Sequence, residues 1–173
     1  MNETYPIEQL ARSTGTRFQG GFAHMTMQLL PAFEGAALEP TAQGLKILGI
    51  NEMALVAPRV FIRRTHGHNV RLDEPRVREL CYGGKLREPV MCVRVSIDST
   101  HAEAAIRDLV ARASSIDSVD WLHDPVVIRA QAPLQYLLGY PDALADLSMH
   151  TADLKMWLNH YAPMAWRPGD GAA

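Results

Sequence analysis

The chain has 173 residues, a formal net charge of −2, a pI near 6.4 and 47% hydrophobic residues. This size and composition predict one or two small domains with packed cores, and the charge argues against a generally basic surface for nucleic acid. No apolar run approaches the ~18 residues of a membrane span, and MNETYPIEQL lacks the basic start and apolar run of a signal peptide. We therefore expect a cytoplasmic protein in which Cys81 and Cys92 are small buried residues without a disulfide.

The first half of the chain, residues 1–86, carries more strand-like than helix-like patterns. The expected strands are residues 44–50, 53–57 and 60–64. Farther along the chain, residues 73–82 are long enough for only a short helix. We therefore expect residues 1–86 to form a smaller, mostly β domain.

The second half predicts the order β-α-β-β-α-β. The expected elements are a strand (88–98), a helix (100–113), two short strands (116–121 and 126–130), a second helix (133–147) and a last strand (154–163). Two helices over one face of a four-stranded antiparallel sheet close this order, so we expect an α+β protein with a ferredoxin-like domain at residues 87–167. Residues 168–173 are expected to be a flexible polar tail.

Two details of this domain can be predicted from local pattern. Thr100 and Glu103 have the spacing of a capping box, in which a hydroxyl and a carboxylate each satisfy a free amide at the start of a helix. Apolar residues at strand or helix spacing are expected in the core. These core residues are Val93, Val95, Ile106, Leu109, Val110, Ile128, Leu137 and Leu158.

Four short motifs connect the second half to a known family. They are Glu88-Pro89-Val90-Met91, Pro133-Leu134, Gly139-Tyr140 and His160-Tyr161-Ala162-Pro163. In this order they resemble the fifth, C-terminal domain of elongation factor G. The first half resembles a reduced fourth domain of the same factor, with residues 12–23 and 65–70 as its two tip loops and 24–31 as the strand after the first loop. The resemblance implies a ribosome ligand, because that tip enters the decoding site and the fifth domain lies against large-subunit RNA.

The GTPase of that family has no counterpart in this sequence. The phosphate-binding string GxxxxGK followed by Ser or Thr is absent from the 173 residues. No nucleophile elbow or metal-binding string is present either. We therefore expect a protein that is not an enzyme, takes no cofactor and does not bind GTP.

Basic residues in and beside the two tip-like loops are the candidate ribosome-binding or RNA-binding residues. Guanidinium groups pair with phosphates and release counterions, which makes arginine clusters typical of RNA contact. The candidates are Arg12, Arg17, Arg63, Arg64, His66, His68 and Arg71. Arg59 belongs to the same basic stretch, and the alternative interpretation is that these are solvated charges on strands.

Aromatic and histidine residues near the loops leave alternatives open. Phe18 and Phe22 lie among glycines and can either stack on bases or pack against the sheet. His24, His66 and His68 can form a metal site, but no cysteine or acidic cluster completes the ligand set, which favours an ordinary polar loop.

The second half lacks cations that the family carries. Where elongation factor G has a basic run after the first helix, this chain has Arg112-Ala113-Ser114-Ser115, and a Leu-Arg-Ser of the family corresponds to Leu144-Ala145-Asp146. Each lost cation weakens a contact with RNA phosphate. The alternative function is therefore a degenerate elongation factor G-derived module that binds proteins or associates with itself as a homo-oligomer. A shortened product of a longer factor gene is a third interpretation.

Overall fold

The computed structural model describes residues 4–164, which form two α+β units. The elements of the first unit are β1 (Ile7–Ser13), α1 (Gln19–Leu29), β2 (Ala36–Thr41), β3 (Gly44–Gly49), α2 (Val56–His66), β4 (Val70–Leu72) and β5 (Arg76–Val77). The elements of the second unit are β6 (Leu80–Tyr82), β7 (Lys85–Ile97), α3 (Ser99–Ala111), β8 (Ser115–Asp120), β9 (Val126–Pro133), α4 (Leu134–Leu137), α5 (Tyr140–Leu147) and β10 (Asp153–Pro163). Short 3-10 turns occupy Met53–Leu55 and Gly67–Asn69.

The second unit has the ferredoxin-like topology that its sequence predicts. Its antiparallel sheet has the strand order β10-β7-β9-β8, with β6 added beside β7. Helices α3, α4 and α5 supply buried apolar residues that pack with one face of this sheet. The predicted α+β class and the ferredoxin-like second half are therefore confirmed.

Most of the predicted core of the second unit is buried, with one exception. Val93, Val95, Leu109, Ile128 and Leu137 are buried, while Ile106 and Leu158 pack at the margin of the core. The prediction for Val110 is wrong, because its side chain is 56% exposed. The buried positions of α3 are Ala102, Ala105 and Leu109, and this 3–4 spacing turns the next residue toward solvent.

The first unit repeats the element order and the strand order of the second. Its sheet has the order β2-β3-β1-β4, with β5 also beside β1, and α1 and α2 follow β1 and β3. Alternate residues of β1 point into the core, so Ile7 and Ala11 are buried together with Leu45 and Ile47 of β3. The first unit is thus a second β-α-β-β-α-β layer structure.

Several assignments in the first half are wrong. The strands predicted at 24–31, 53–57 and 60–64 are wrong, since α1 extends to Leu29 and the 3-10 turn at Met53–Leu55 leads into α2. The buried residues around α2 are Leu55, Pro58 and Ile62, which lie on one side of a helix. The β-branched and aromatic residues Val60 and Phe61 favour a strand locally, but packing of this apolar stripe outweighs that preference. The helix predicted at 73–82 is wrong as well, because this segment contains β5 and β6.

The start of α3 also differs from the prediction. Asp98 is the N-cap, and its Oδ1 accepts a hydrogen bond from the Thr100 amide at 2.8 Å and from the Thr100 hydroxyl at 2.6 Å. The capping-box prediction is therefore wrong, because the helix begins before Thr100. These bonds, the hydroxyl bond first, hold the pKa of Asp98 below its usual value.

The chain passes from one sheet to the other between Val77 and Leu80. The division at Leu86 into residues 1–86 and 87–167 stays a prediction, and the predicted tail 168–173 lies outside the described residues. Within residues 4–164, hydrogen bonds that join the units include one from Asn51 Nδ2 to the Met156 carbonyl at 2.9 Å and one from the Gly139 amide to Glu52 Oε2 at 2.7 Å. Residues just before the turn at Met53–Leu55 thus attach the first unit to the second.

Two further expectations from the sequence concern membrane-spanning helices and the burial of the cysteines. Within residues 4–164, no helix has the length and apolar character needed to cross a membrane. Both cysteines are free, but the expectation that both are buried is wrong, since Cys81 is exposed and Cys92 is half-buried.

Candidate RNA-binding surface

Arg12 and Arg71 are direct neighbours at one end of the first sheet, where β1 pairs with β4. Like charges opposite one another normally destabilise a strand pair. Asp73 offsets this repulsion, because its carboxylate forms ion pairs with both arginines. One oxygen lies 2.9 Å from Arg12 Nη2 and the other lies 3.3 Å from Arg71 Nε. One anion is shared by two cations, so the pair keeps a net positive charge at this end of the sheet.

The loop between β1 and α1 is closed by the side chain of Gln19. Its Oε1 accepts the Ser13 amide at 2.8 Å, and its Nε2 donates to the carbonyls of Ser13 at 2.9 Å and Thr16 at 2.7 Å. The second tip-like loop is attached to the first, since the Thr14 amide donates to the Asn69 carbonyl at 2.9 Å. The two loops predicted from the sequence therefore form one connected surface.

Most of the predicted basic residues lie on or beside this surface. Arg17 is exposed in the first loop, Arg63 and Arg64 are exposed in the last turn of α2, and His68 is exposed in the following turn. Among residues 4–164, no carboxylate forms an ion pair with Arg17, Arg63 or Arg64. Cations in the last turn of a helix are also favoured by its dipole, which gives Arg63 and Arg64 a structural role as well.

We call the exposed or partly exposed basic residues at this end the tip cluster. Its members are Arg12, Arg17, Arg63, Arg64, His68 and Arg71. A shallow cavity of about 560 Å³ opens beside the first loop, between the end of β1, the turn from β2 to β3 and β4. Its walls are formed by Arg12, Ser13, Thr14, Gln19, Gln43 and Arg71. Guanidinium, hydroxyl and amide groups around an open cavity are suited to a phosphate or another anion.

Two of the basic residues are directed into the molecule instead. His66 lies between the helices, with Nε2 2.9 Å from the Thr26 hydroxyl and its ring edge-on to Phe22 at 5.0 Å. Burial lowers the pKa of His66. Arg59 donates from Nε to Gln9 Oε1 at 2.6 Å, and burial likewise lowers its pKa. The structure therefore brings neither residue to the tip cluster.

The two phenylalanines have different environments. Phe22 is buried, so for this residue packing is the correct alternative. Phe18 is 75% exposed, and its ring lies so close to Gly21 that an added Cβ there would overlap it. Gly20 leaves more room, with the Phe18 ring 3.8 Å from the corresponding Cβ position. Phe18 thus presents a free aromatic surface beside Arg17.

The histidines considered as metal ligands do not form a cluster. Across residues 4–164, no three His, Cys, Asp or Glu side chains come together as metal ligands would. His24 is exposed on α1, while His66 is bonded to Thr26.

Sequence reasoning missed the residues that organise the tip. Asp73 and Gln19 carry the ion pairs and the loop-closing bonds, yet neither belongs to a recognisable motif. Their roles depend on which strands pair and on how the loop folds back. In the sequence, only the spacing of the arginines indicated a basic surface at the tip.

The second unit is similar in sequence to known proteins. Residues 85–170 match the family described as Elongation factor G C-terminus. The mitochondrial ribosome-releasing factor 2 of Danio rerio is 30% identical over 82 residues, which are 47% of this chain and 11% of that protein. Elongation factor G of Jannaschia sp. (strain CCS1) is 32% identical over 82 residues, 47% of this chain and 12% of that protein.

A structural relative extends over both units. A crystal structure of a Thermus thermophilus protein aligns with 92% of this chain and 41% of its own, with a TM-score of 0.66 and 13% identity. At this identity the likeness concerns the fold alone. The second half of the chain is similar in sequence to the C-terminus of elongation factor G, as the motifs from Glu88 onward predicted. The chain spans only a small part, 11–12%, of the length of these curated relatives.

Proposed function

We propose that this chain is a non-enzymatic, translation-factor-like protein that binds the ribosome or structured RNA through the tip cluster. The observation that carries the proposal is the convergence of two loops and the end of α2 on one basic surface. Arg12 and Arg71 are positioned by strand pairing, and Arg17, Arg63 and Arg64 have no ion-pair partner among the described residues. Guanidinium groups held in this way bind phosphate oxygens in pairs and gain free energy by releasing counterions.

The similar proteins also support a role in translation. The names of the similar proteins refer to translation elongation and to ribosome release. The similarity covers the second unit, while the tip cluster belongs to the first, so the two lines of support are independent. A protein that acts with the ribosome in this way is expected in the cytoplasm.

Phe18 extends the proposed contact from phosphate to base. Its exposed ring lies beside Arg17 at the start of α1. Aromatic rings next to a basic surface stack on unpaired bases, and each such contact is worth about 1–3 kcal/mol. We expect Phe18 to contact an unpaired base of the bound RNA.

The proposal does not include nucleotide hydrolysis. The sequence contains no phosphate-cradling loop of the GTPase type, and the groups of the tip cluster are donors to anions with no activated nucleophile among them. We expect isothermal calorimetry to show no micromolar affinity for GTP, and such affinity without a partner would contradict this part of the proposal.

Co-sedimentation with ribosomes across a salt series tests the proposal. The wild-type chain should pellet with ribosomes at low salt and be released as salt rises. Replacing both Arg63 and Arg64 with Ala should weaken pelleting. The slope of the logarithm of the binding constant against the logarithm of the salt concentration should become less steep by about one for each arginine that contacts phosphate. Arg107→Ala is the matched control, because Arg107 is an exposed helical arginine in the second unit. A wild-type chain that stays in the supernatant at low salt would exclude this function.

A second candidate function, binding of a protein or of a second copy, is favoured by one observation. The helices of the first unit expose several large apolar side chains. They are Met25, Leu29, Val56, Val60 and Phe61. Apolar side chains grouped on a surface are typical of protein contact sites. Sedimentation equilibrium distinguishes the two candidates, since self-association should be lost in Val56→Ser while ribosome binding is unchanged.

A further inference from the structure

The second sheet has one face that its helices do not cover. Buried residues such as Val93 and Val95 point toward α3 and α5, so the alternate residues of the same strands point to the opposite face. On that face β10, β7 and β9 place Lys155, Arg94 and Arg129 directly opposite one another. We call these three residues the cationic row. Adjacent strands lie about 4.8 Å apart, so three positive side chains cross the sheet in a line.

The cationic row is not neutralised by ion pairs. Among the described residues, no carboxylate forms an ion pair with Lys155, Arg94 or Arg129. Nε of Arg94 is buried and has no hydrogen-bond partner in the described part of the chain. Like charges opposite one another oppose strand pairing, so folding alone does not account for this arrangement.

Three acidic residues border this face, and the carboxylates of two of them are engaged by other groups. The Asp117 carboxylate accepts a bond from Gln131 Nε2 at 3.0 Å. The Asp120 carboxylate accepts the Leu122 amide at 3.0 Å and faces His123, although it also interacts electrostatically with Arg129. Asp153 lies one row away, opposite Ser96. These anions border the face, and the cationic row remains the charged feature at its centre.

An exposed tryptophan stands beside the cationic row. Trp157 is two residues from Lys155 on β10 and lies opposite Cys92, with 48% of its side chain exposed. With Thr4 and Ile50 of the first unit it lines a shallow cleft of about 420 Å³. In the same region Asn159 Nδ2 donates to Gln131 Oε1 at 2.7 Å, which adds polar groups next to the ring.

We propose that this open face binds single-stranded RNA, with phosphates on the cationic row and one base stacked on Trp157. Four-stranded sheets with exposed aromatic side chains bind unpaired bases in this way, and positive charge follows the backbone. A lipid surface is less well matched, because the cations lie on a flat sheet beside amide and hydroxyl groups, with a single large apolar ring. This site is separate from the tip cluster and does not depend on the function proposed for that cluster.

Fluorescence anisotropy with a labelled oligo(U) RNA tests this inference. We expect salt-dependent binding by the wild-type chain. Trp157→Ala should raise Kd roughly 5-fold to 150-fold, the range for loss of one stacked base worth about 1–3 kcal/mol. Arg94→Ala with Arg129→Ala should weaken binding and lower the salt slope by about 0.7 for each lost contact with a single strand. Lys155→Glu is a single exposed change that should weaken binding without a packing defect.

Two control variants and a vesicle assay distinguish this site from the tip cluster and from a lipid-binding surface. Arg107→Ala on α3, which packs on the other face of the sheet, should bind oligo(U) like the wild type. Arg63→Ala with Arg64→Ala should also keep oligo(U) binding even if it loses ribosome binding. Loss of oligo(U) binding in that tip variant, with no effect of the face variants, would overturn the inference while leaving the proposed function intact. Binding of the row to phosphatidylserine vesicles, with no affinity for oligo(U), would overturn it as well.

Thermal unfolding followed by circular dichroism is run on every variant. Removal of like charges from a strand pair should leave the melting temperature of the Arg94 and Arg129 variant equal to that of the wild type or higher. Weaker RNA binding at an unchanged melting temperature therefore identifies lost contacts with RNA. A wild-type chain that does not bind oligo(U) at low salt contradicts the inference directly, and ribosome co-sedimentation then still tests the tip cluster.

Discussion

Nε2 of His66 lies 2.9 Å from the hydroxyl of Thr26 and connects the two helices of the first unit. Burial of the imidazole keeps its pKa below the ordinary value of 6.5. Between the lowered pKa and 6.5 the unfolded chain therefore binds more protons at this residue than the folded chain does. The free energy of unfolding rises with pH across this window and falls as the pH is lowered through it.

This pH dependence of the free energy of unfolding predicts that the contact between the two helices is sensitive to acid. The melting temperature of the wild type should decrease as the pH falls below 6.5, and His66→Gln should show a weaker decrease because glutamine has no proton to gain. The measurement is calorimetric melting at several pH values. His24→Gln, which changes an exposed histidine of α1, is the control and should follow the wild type. Identical pH profiles for His66→Gln and the wild type would show that His66 does not carry the effect.

Tyr140 predicts a contrast between two substitutions. It is fully buried, and its hydroxyl has no hydrogen-bond partner within residues 4–164. Burial raises its pKa, with Asp108 adding to the effect, while the Arg112 guanidinium lies 5.3 Å from the ring centroid. Tyr140→Phe keeps the ring and removes an unpaired polar group, so the free energy of unfolding should be unchanged or slightly higher. Tyr140→Ala should cost about 3–5 kcal/mol through the cavity it leaves.

Urea unfolding measures both Tyr140 variants. A loss of more than about 1 kcal/mol in Tyr140→Phe would reveal a partner for the hydroxyl and contradict the first expectation.

The two glycines at the start of α1 separate the position of Phe18 from helix stability. Gly21→Ala places a Cβ in the space of the Phe18 ring and should displace it, while Gly20→Ala leaves the ring where it is. Both changes improve helix propensity by about 1 kcal/mol, so neither should lower the melting temperature much. Ribosome co-sedimentation should weaken in Gly21→Ala and Phe18→Ala and stay unchanged in Gly20→Ala. Equal binding by the two glycine variants would separate Phe18 from the RNA contact.

Asp146 tests whether the second unit has lost ribosome contacts. This exposed residue of α5 carries a negative charge directly after Ala145, the position that corresponds to the arginine in the family's Leu-Arg-Ser. Asp146→Arg should strengthen co-sedimentation and increase its salt dependence, because an added cation neutralises phosphate. Asp142→Arg, an exposed change in the same helix, is the control for a general gain of positive charge. The same increase in both variants would indicate nonspecific attraction.

The elements of the second unit could be predicted because short stretches of its sequence carry clear strand and helix patterns. In β7 and β9 apolar residues alternate with polar ones, and the predicted second helix is present as α4 and α5, separated at Gly139 with a φ of 73°. Val110 was misplaced because it adjoins Leu109 on α3, and a small error in helix phase exchanges a buried position for an exposed one.

The first unit was harder to predict because its helices contain strand-forming residues. In α2, Val60 and Phe61 are partly exposed while Ile62 is buried, and only the packed structure shows this phase. The tip arginines were found from their positions in the sequence, but the ion pairs of Asp73 depend on strand pairing between β1 and β4. Contacts of this kind join residues far apart in the chain and leave no local pattern.

The hydrogen bond from Asn51 to the Met156 carbonyl also bears on aggregation. β10 is the outermost strand at one side of the second sheet, and bare backbone groups on such a strand offer a template on which foreign chains can add. Asn51 occupies one of these groups, and Glu52 adds a second attachment to the unit by accepting the Gly139 amide at the start of α5. The first unit therefore shields its partner from uncontrolled strand addition. Cleavage of the chain between the two sheets would remove this protection and release a second unit prone to form intermolecular sheets.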